Sequence, residues 1–190
     1  MSSPKNQPEC IIDAKALNKL IVKIADDILQ REKNPKEIAL VGIHTAGAPL
    51  AERIALAIKK KTGEKPPVGT IDIALYRDDV GMGGDLPAPV IGPTELEFNI
   101  PDYIIYLVDD VLFTGRTIRA ALDAIADSGR PKAIRLVVLV DRGHRELPIQ
   151  ADIIGEVVKT TRKQNIEIIL KEIRQEEELP EGVYLYDKKI

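Results

Sequence analysis

Val108-Asp109-Asp110-Val111-Leu112-Phe113-Thr114-Gly115-Arg116-Thr117 puts two carboxylates behind an apolar run and a hydroxyl-and-glycine turn ahead of a helical pattern. Residues 103–108 predict a strand, 109–117 a polar loop, and the apolar spacing that follows a helix to about Ser128, stopped by Gly129. A further strand is predicted at 133–140. This βαβ unit marks an α/β protein with a mainly parallel, twisted sheet flanked by helices. The two halves of the segment have separate uses. Amides of a tight loop and a helix start can surround a phosphate, with Gly115 allowing close approach and the Thr114 and Thr117 hydroxyls adding donors. Asp109 and Asp110 would repel that phosphate directly, so they suit a neighbouring group that presents hydroxyls, such as a ribose diol. A sugar phosphate satisfies both halves.

The same alternation extends outward in both directions. Asp13 is placed to cap a helix whose apolar residues Leu17, Leu20, Ile21, Ile24 and Ile28 recur at helical spacing until Asn34-Pro35. Residues 38–43 read as a buried strand. The loop His44-Thr45-Ala46-Gly47 follows, then a helix over about 49–61 with Gly63 as its stop. Residues 68–76 read as another strand, after which Gly81, Gly83, Gly84, Pro87, Pro89, Gly92 and Pro93 predict a mobile arm or hairpin over 76–100. Residues 151–154 and 166–170 predict two more strands. The segment 183–186 predicts a last one, closing a sheet edge. No repeat interrupts this order, and one domain over 1–190 is expected.

Composition narrows the class. With 44% apolar and 30% charged residues, a folded chain of 190 residues has material for a core. A formal charge of -3 gives no overall attraction to nucleic acid, although a local basic patch stays open. The longest run free of charged residues, 38–51, is too short and too broken to span a bilayer. Cys10, the sole cysteine, rules out an internal disulfide and suits a reducing cytoplasm, where it reads as a small buried apolar residue. Neither a Walker loop nor a G-x-G-x-x-G after a strand is present.

The segment 108–117 resembles the PRPP (phosphoribosyl pyrophosphate) signature of type I phosphoribosyltransferases. Together with Leu75-Tyr76-Arg77-Asp78-Asp79 and Val140-Asp141-Arg142-Gly143-His144-Arg145-Glu146-Leu147-Pro148, it resembles one family in particular: bifunctional pyrimidine-operon attenuation regulators that are also uracil phosphoribosyltransferases. The resemblance implies the type I fold and the formation of uridine monophosphate (UMP) and pyrophosphate from uracil and PRPP. It implies that residues 114–117 hold the 5′-phosphate, while Asp109 and Asp110 take the ribose hydroxyls near the developing positive charge. It assigns Thr45-Ala46-Gly47 to the pyrophosphate loop, with Mg2+ held mainly through PRPP. Where the family places Arg after Thr, this chain has Ala46, which removes one cationic contact. Arg77 either closes over the site from the arm or pairs with Asp78 or Asp79.

Base choice follows from two places. Purine-using relatives carry an acid before the Thr-Gly pair, whereas Phe113 offers neither charge nor hydrogen bond. The family forms its base pocket around Val140-Asp141-Arg142, with Arg142 the first candidate contact and an ion pair its alternative. His144 reads either as a structural residue or as a contact to ligand or RNA. The resemblance also implies a homo-oligomer, dimer or higher, that presents a basic face to the operon's leader RNA. Arg142 and Arg145 would contribute to that face. Val22, Asp26 and Gln150 replace polar or basic residues expected there and weaken the RNA expectation. Other readings stay open: a nucleotide sensor with little or no catalysis, and transfer to another base.

Overall fold

Asp13 ends the first strand and caps the first helix, its Oδ1 accepting from the Ala16 N–H at 2.7 Å. The computed structural model describes residues 8–76, 95–173 and 179–187. In order, the elements are β1 (Glu9–Asp13), α1 (Ala14–Arg31), β2 (Ile38–Ile43), α2 (Gly47–Thr62), β3 (Val68–Ile71), β4 (Ile104–Leu112), α3 (Arg116–Ser128), β5 (Ala133–Asp141), β6 (Ile153–Val157), β7 (Gln164–Ile169) and β8 (Gly182–Asp187). Five strands form a parallel sheet in the order β3-β2-β4-β5-β6; β1, β8 and β7 form a smaller antiparallel sheet.

The large sheet is covered on both faces, which is why all six residues of β2 are buried and its sequence is continuously apolar. Leu40, Tyr106, Val108, Val137 and Leu139 pack with α1 and α2 on one face. Val41, Ile105, Leu107 and Val138 pack with α3 on the other. Ile166, Ile168 and Val183 of the small sheet join the first core, tying the two sheets together. The α/β expectation is borne out.

Several boundaries differ from the sequence reading, each for a physical reason. The strand expected over 68–76 stops at Ile71, because the Asp72 carboxylate accepts from the Ala74 N–H at 2.7 Å and folds 74–76 into a 3₁₀ turn. β4 runs on through Leu112, since Asp109, Val111 and Leu112 pair in register with Val138, Val140 and Asp141. The acid pair therefore stands on a strand, and the loop shrinks to residues 113–115. α2 begins two residues earlier than expected, at Gly47. β8 lies between β1 and β7 in the small sheet, so the tail fills a centre instead of an edge. Cys10 is exposed, because β1 is an outer strand of that sheet. The arm expected over 76–100 falls largely on residues 77–94, which lie outside the described residues, as does Arg77. No helix among the described residues is long and apolar enough to cross a membrane.

Candidate active site

In a parallel sheet the crevice for ligands opens at the strands' carboxyl ends, where consecutive connections leave in opposite directions. Here that point lies between β2 and β4: β2 leads outward to β3, and β4 leads the other way to β5 and β6. A cleft of about 340 Å³ opens there. It is lined by His44 and Thr45 after β2, Asp72 to Ala74 after β3, Asp109 to Val111 at the end of β4, and Thr117 on α3.

Two helices begin near this crevice, and neither cap residue has a side chain that could cap its helix. At α2 the cap position is Ala46; at α3 it is Gly115, whose φ of +94° is left-handed backbone that favours glycine. At α3 the Thr114 hydroxyl accepts from the Arg116 N–H at 3.4 Å, and the remaining first-turn amides of both helices suit an anion. The approach of α2 to the sheet is close. A Cβ on Gly47 would stand 2.4 Å from the Val108 carbonyl oxygen, and one on Gly42 2.4 Å from the Gly47 carbonyl oxygen. Glycine at these two positions lets the 44–47 loop sit directly on the strand that carries the acids. The His44–Thr45 peptide bond is cis.

Asp109 is buried and Asp110 half-buried. Burial raises the Asp109 carboxyl well above the usual carboxylate range, and the neighbouring Asp110 charge raises it further. Burial also raises Asp110, against a hydrogen bond of 2.8 Å from the Val111 N–H that favours its charged form. The pair therefore retains a proton more readily than two exposed acids, and its carboxyl oxygens are acceptors of the kind that a diol's hydroxyls need. Asp72 adds a third carboxylate across the cleft, and no lysine or arginine is among the described residues lining it.

The loop of residues 113–115 is latched from outside by residues 142–149. The Glu146 and Leu147 N–H groups donate to the Thr114 carbonyl at 2.9 and 3.2 Å, and the Arg142 N–H donates to the Leu112 carbonyl at 3.1 Å. Arg145 gives its guanidinium to the carbonyls of Phe113, Leu112, Gly143 and Ile149 and pairs with the Asp141 carboxylate. Arg116 pairs with Glu146 at 3.0 Å.

The structure brings Thr45, Asp109, Asp110, Val111 and Thr117 together around one cleft, with Ala46, Gly47, Thr114, Gly115 and Arg116 supplying the adjoining helix starts. Leu112 and Val140 keep their side chains in the core, which leaves their backbone to the site, and the resemblance builds the base pocket largely from backbone groups. Other expected residues are engaged elsewhere. Asp141 is occupied by the Gly143 N–H and Arg145. Arg142 neither reaches for a base nor pairs with an acid: its guanidinium donates to Thr160, Thr161, Gln164 and Asn165. The His144 ring is hydrogen-bonded to the Thr160 carbonyl at 2.7 Å. His144 and Arg145 are thus half-buried, with their polar groups engaged by the protein itself. Asp26 is ion-paired to Lys61 at 2.8 Å, so its charge is partly offset; Val22 and Gln150 are exposed. Asp72 was not legible as a site residue; an acid directly after a parallel strand was the available signal.

Comparison with known proteins agrees with this geometry. Residues 10–171 match the model of the phosphoribosyl transferase domain. Among solved structures, a hypoxanthine phosphoribosyltransferase from Trypanosoma cruzi superposes with a TM-score of 0.71 at 14% identity, covering 97% of both chains. A hypoxanthine-guanine phosphoribosyltransferase from Bacillus anthracis gives 0.69 at 16%, covering 96% of this chain and 99% of that one. At such identities the likeness is one of fold. Fold, cleft and domain match together define a type I phosphoribosyltransferase.

Sequence relatives are more specific. Proteins named "Bifunctional protein PyrR" are 52% identical over 163 residues in Roseiflexus sp. (strain RS-1) and 49% over 163 in Thermoanaerobacter sp. (strain X514). A third, from Clostridioides difficile (strain 630), is 50% identical over 167 residues. The matches cover 86–88% of this chain and 88–93% of those relatives. The chain belongs to the PyrR family, as the three motifs anticipated.

Proposed function

We propose that the chain joins uracil N1 to the anomeric carbon of PRPP, releasing pyrophosphate as UMP forms, and that it also attenuates the pyrimidine operon through its leader RNA. The carrying observation is the cleft at the β2/β4 switch point, where two helix starts flank a buried Asp109 and a half-buried Asp110. In this reading the α3 start and the Thr114 and Thr117 hydroxyls hold the 5′-phosphate. The 44–47 loop and the α2 start face the pyrophosphate. Asp109 and Asp110 grip the ribose hydroxyls and stabilise positive charge as the bond from the anomeric carbon to pyrophosphate breaks. Uracil N1 forms the new bond and loses its proton.

The donor set fits Mg2+ carried by the substrate. Asp109, Asp110 and Asp72 line the described cleft, and no group of three side chains among the described residues is arranged to hold a metal by itself. Bound with PRPP, magnesium would neutralise the leaving group. Asp109 and Asp110, through the ribose hydroxyls, are the residues nearest to that role. Phe113 in place of an acid favours a pyrimidine over a purine.

The enzymatic reading is tested by incubating pure protein with PRPP, magnesium and a panel of uracil, guanine, hypoxanthine, xanthine and orotate. UMP alone is expected, and its absence sinks this reading. Family membership favours the regulatory reading. Its test is retention of the leader hairpin against a scrambled control at moderate salt, tightened by UMP; equal weak binding of both refutes it. Because the polar groups of His144 and Arg145 are engaged by the protein itself, substitution at other, exposed basic residues is where hairpin affinity should respond.

A further inference from the structure

A buried guanidinium without a carboxylate partner needs another reason to be in the protein. Arg142 is 3% exposed, yet its partners are two carbonyls, one hydroxyl and one side-chain amide. All four lie on residues 160–165, the turn that enters β7. The face of the guanidinium stands 4.2 Å from the centroid of the Phe113 ring, and the His144 ring meets Phe113 edge-on at 5.9 Å. Phe113 is in turn the residue between the acid-bearing strand and the phosphate loop. Its ring is thus held by groups anchored on the small sheet.

The chain of contacts continues outward. Arg142 Nη1 donates to Asn165 Oδ1 at 3.2 Å, and Asn165 Nδ2 donates to the Tyr186 hydroxyl at 2.9 Å. Asn165 belongs to β7 and Tyr186 to β8, where the two residues are cross-strand neighbours. The Thr160 hydroxyl donates back to the Arg142 carbonyl at 3.3 Å. A planar guanidinium can serve four acceptors along its edge while keeping a face for an aromatic ring; an ammonium cannot do both.

We infer that Arg142 and Asn165 are positioning residues through which the small β1-β8-β7 sheet sets Phe113, the side chain that the uracil reading puts beside the base, and that neither side chain touches substrate. This rests on the uracil phosphoribosyltransferase reading and deepens it. It separates the two substrates. The acid pair and the α2 start that receive PRPP do not lie on this chain of side-chain contacts; Phe113 does, and the α3 start that follows it is held separately by the Glu146 and Leu147 N–H groups. Loosening the chain should therefore weaken the base and spare PRPP.

The test is steady-state UMP formation with Asn165→Leu, Tyr186→Phe, Arg142→Lys and Arg142→Met, each checked for an intact fold by circular dichroism and thermal melting. Losing the support of a stacked, desolvated guanidinium should raise the KM for uracil about fivefold in N165L and R142M, with the KM for PRPP held within about twofold. Y186F should move the same way by less, and R142K should recover part of the R142M loss. Should R142M not fold, N165L and Y186F decide the matter alone. Equal movement of both KM values, or no movement in folded variants, overturns the inference. Calorimetric Kd values for UMP and PRPP give the same split without turnover. A wild type that makes no UMP therefore counts against the enzymatic reading, while unchanged Kd ratios count against this one.

Discussion

Gly47 offers the sharpest test of how the cleft is assembled. The Val108 carbonyl oxygen lies 2.4 Å from where a Cβ on this residue would stand, and ordinary contact begins near 3.4 Å. Gly47→Ala must therefore move the α2 start away from β4 by about 1 Å, because the obstructing atom is backbone in the middle of a parallel sheet and cannot rotate aside. A displacement of about 1 Å between the pyrophosphate loop and Asp109-Asp110 is expected to lower kcat/KM roughly 100-fold, or about 2.7 kcal/mol of transition-state stabilisation. The effect should fall mainly on PRPP, whose leaving group spans that gap. The control is Gly63→Ala at the other end of α2: φ is +82° and nothing lies within 4 Å. That change should cost about 1 kcal/mol of stability and leave kcat/KM alone. Full activity in a folded G47A protein would refute the claim that this close approach aligns the site.

Three further outcomes follow from buried polar groups. Burial raises the Asp109 carboxyl, so the folded state binds more protons than the unfolded one from the ordinary carboxylate range up to the raised pKa, and stability falls as pH rises through that window. Asp109→Asn should therefore melt higher than the wild type at neutral pH while losing turnover, with the melting advantage vanishing below about pH 4; a lower melting temperature at neutral pH would contradict this. Among the described residues the buried Tyr106 hydroxyl has no hydrogen-bond partner, and burial pushes its pKa up to about 12. Tyr106→Phe should leave stability to denaturant unchanged or raise it by up to about 1 kcal/mol, and a loss larger than that would reveal a partner. Arg145→Ala strips hydrogen bonds from the Phe113 and Ile149 carbonyls and unpairs Asp141. It should cost roughly 2–3 kcal/mol in urea titration and lower UMP formation with it; loss of hairpin binding alone would restore the RNA-contact reading.

What was legible in the chain follows from how local each determinant is. β2 is continuously apolar because both faces are covered, and Asp13, Gly63 and Gly129 act within a turn of their own helices, so these features stand out in the sequence. β1 does not: Glu9-Cys-Ile-Ile-Asp has neither alternation nor a clean apolar run, and it is a strand because β8 pairs with it across more than 160 residues of chain. The hydrogen bonds of Arg142 and Arg145 were hidden for a related reason. Many of their partners are main-chain carbonyls from distant turns, and a carbonyl has no letter in the sequence.

The candidate site sits between these extremes. Parallel strands all end on the same edge of the sheet, which His44, Asp72, Asp109 and Asp141 share; the end of an apolar run already names all of these but Asp72, which the sequence reading left inside a strand over 68–76. Which of them meet depends on strand order, which periodicity does not encode. The order β3-β2-β4 brings the first three into one cleft, and Asp72 enters it only because Ile71 pairs with Ile43. Asp141 also ends a strand beside β4, yet Arg145 takes its carboxylate and turns it into a brace for the phosphate loop. The acid pair was recognisable because its two members are adjacent in the chain and a glycine turn follows at once. Asp72 had no such neighbour: its place in the cleft comes from the pairing of two strands, and only the assembled sheet brings it there.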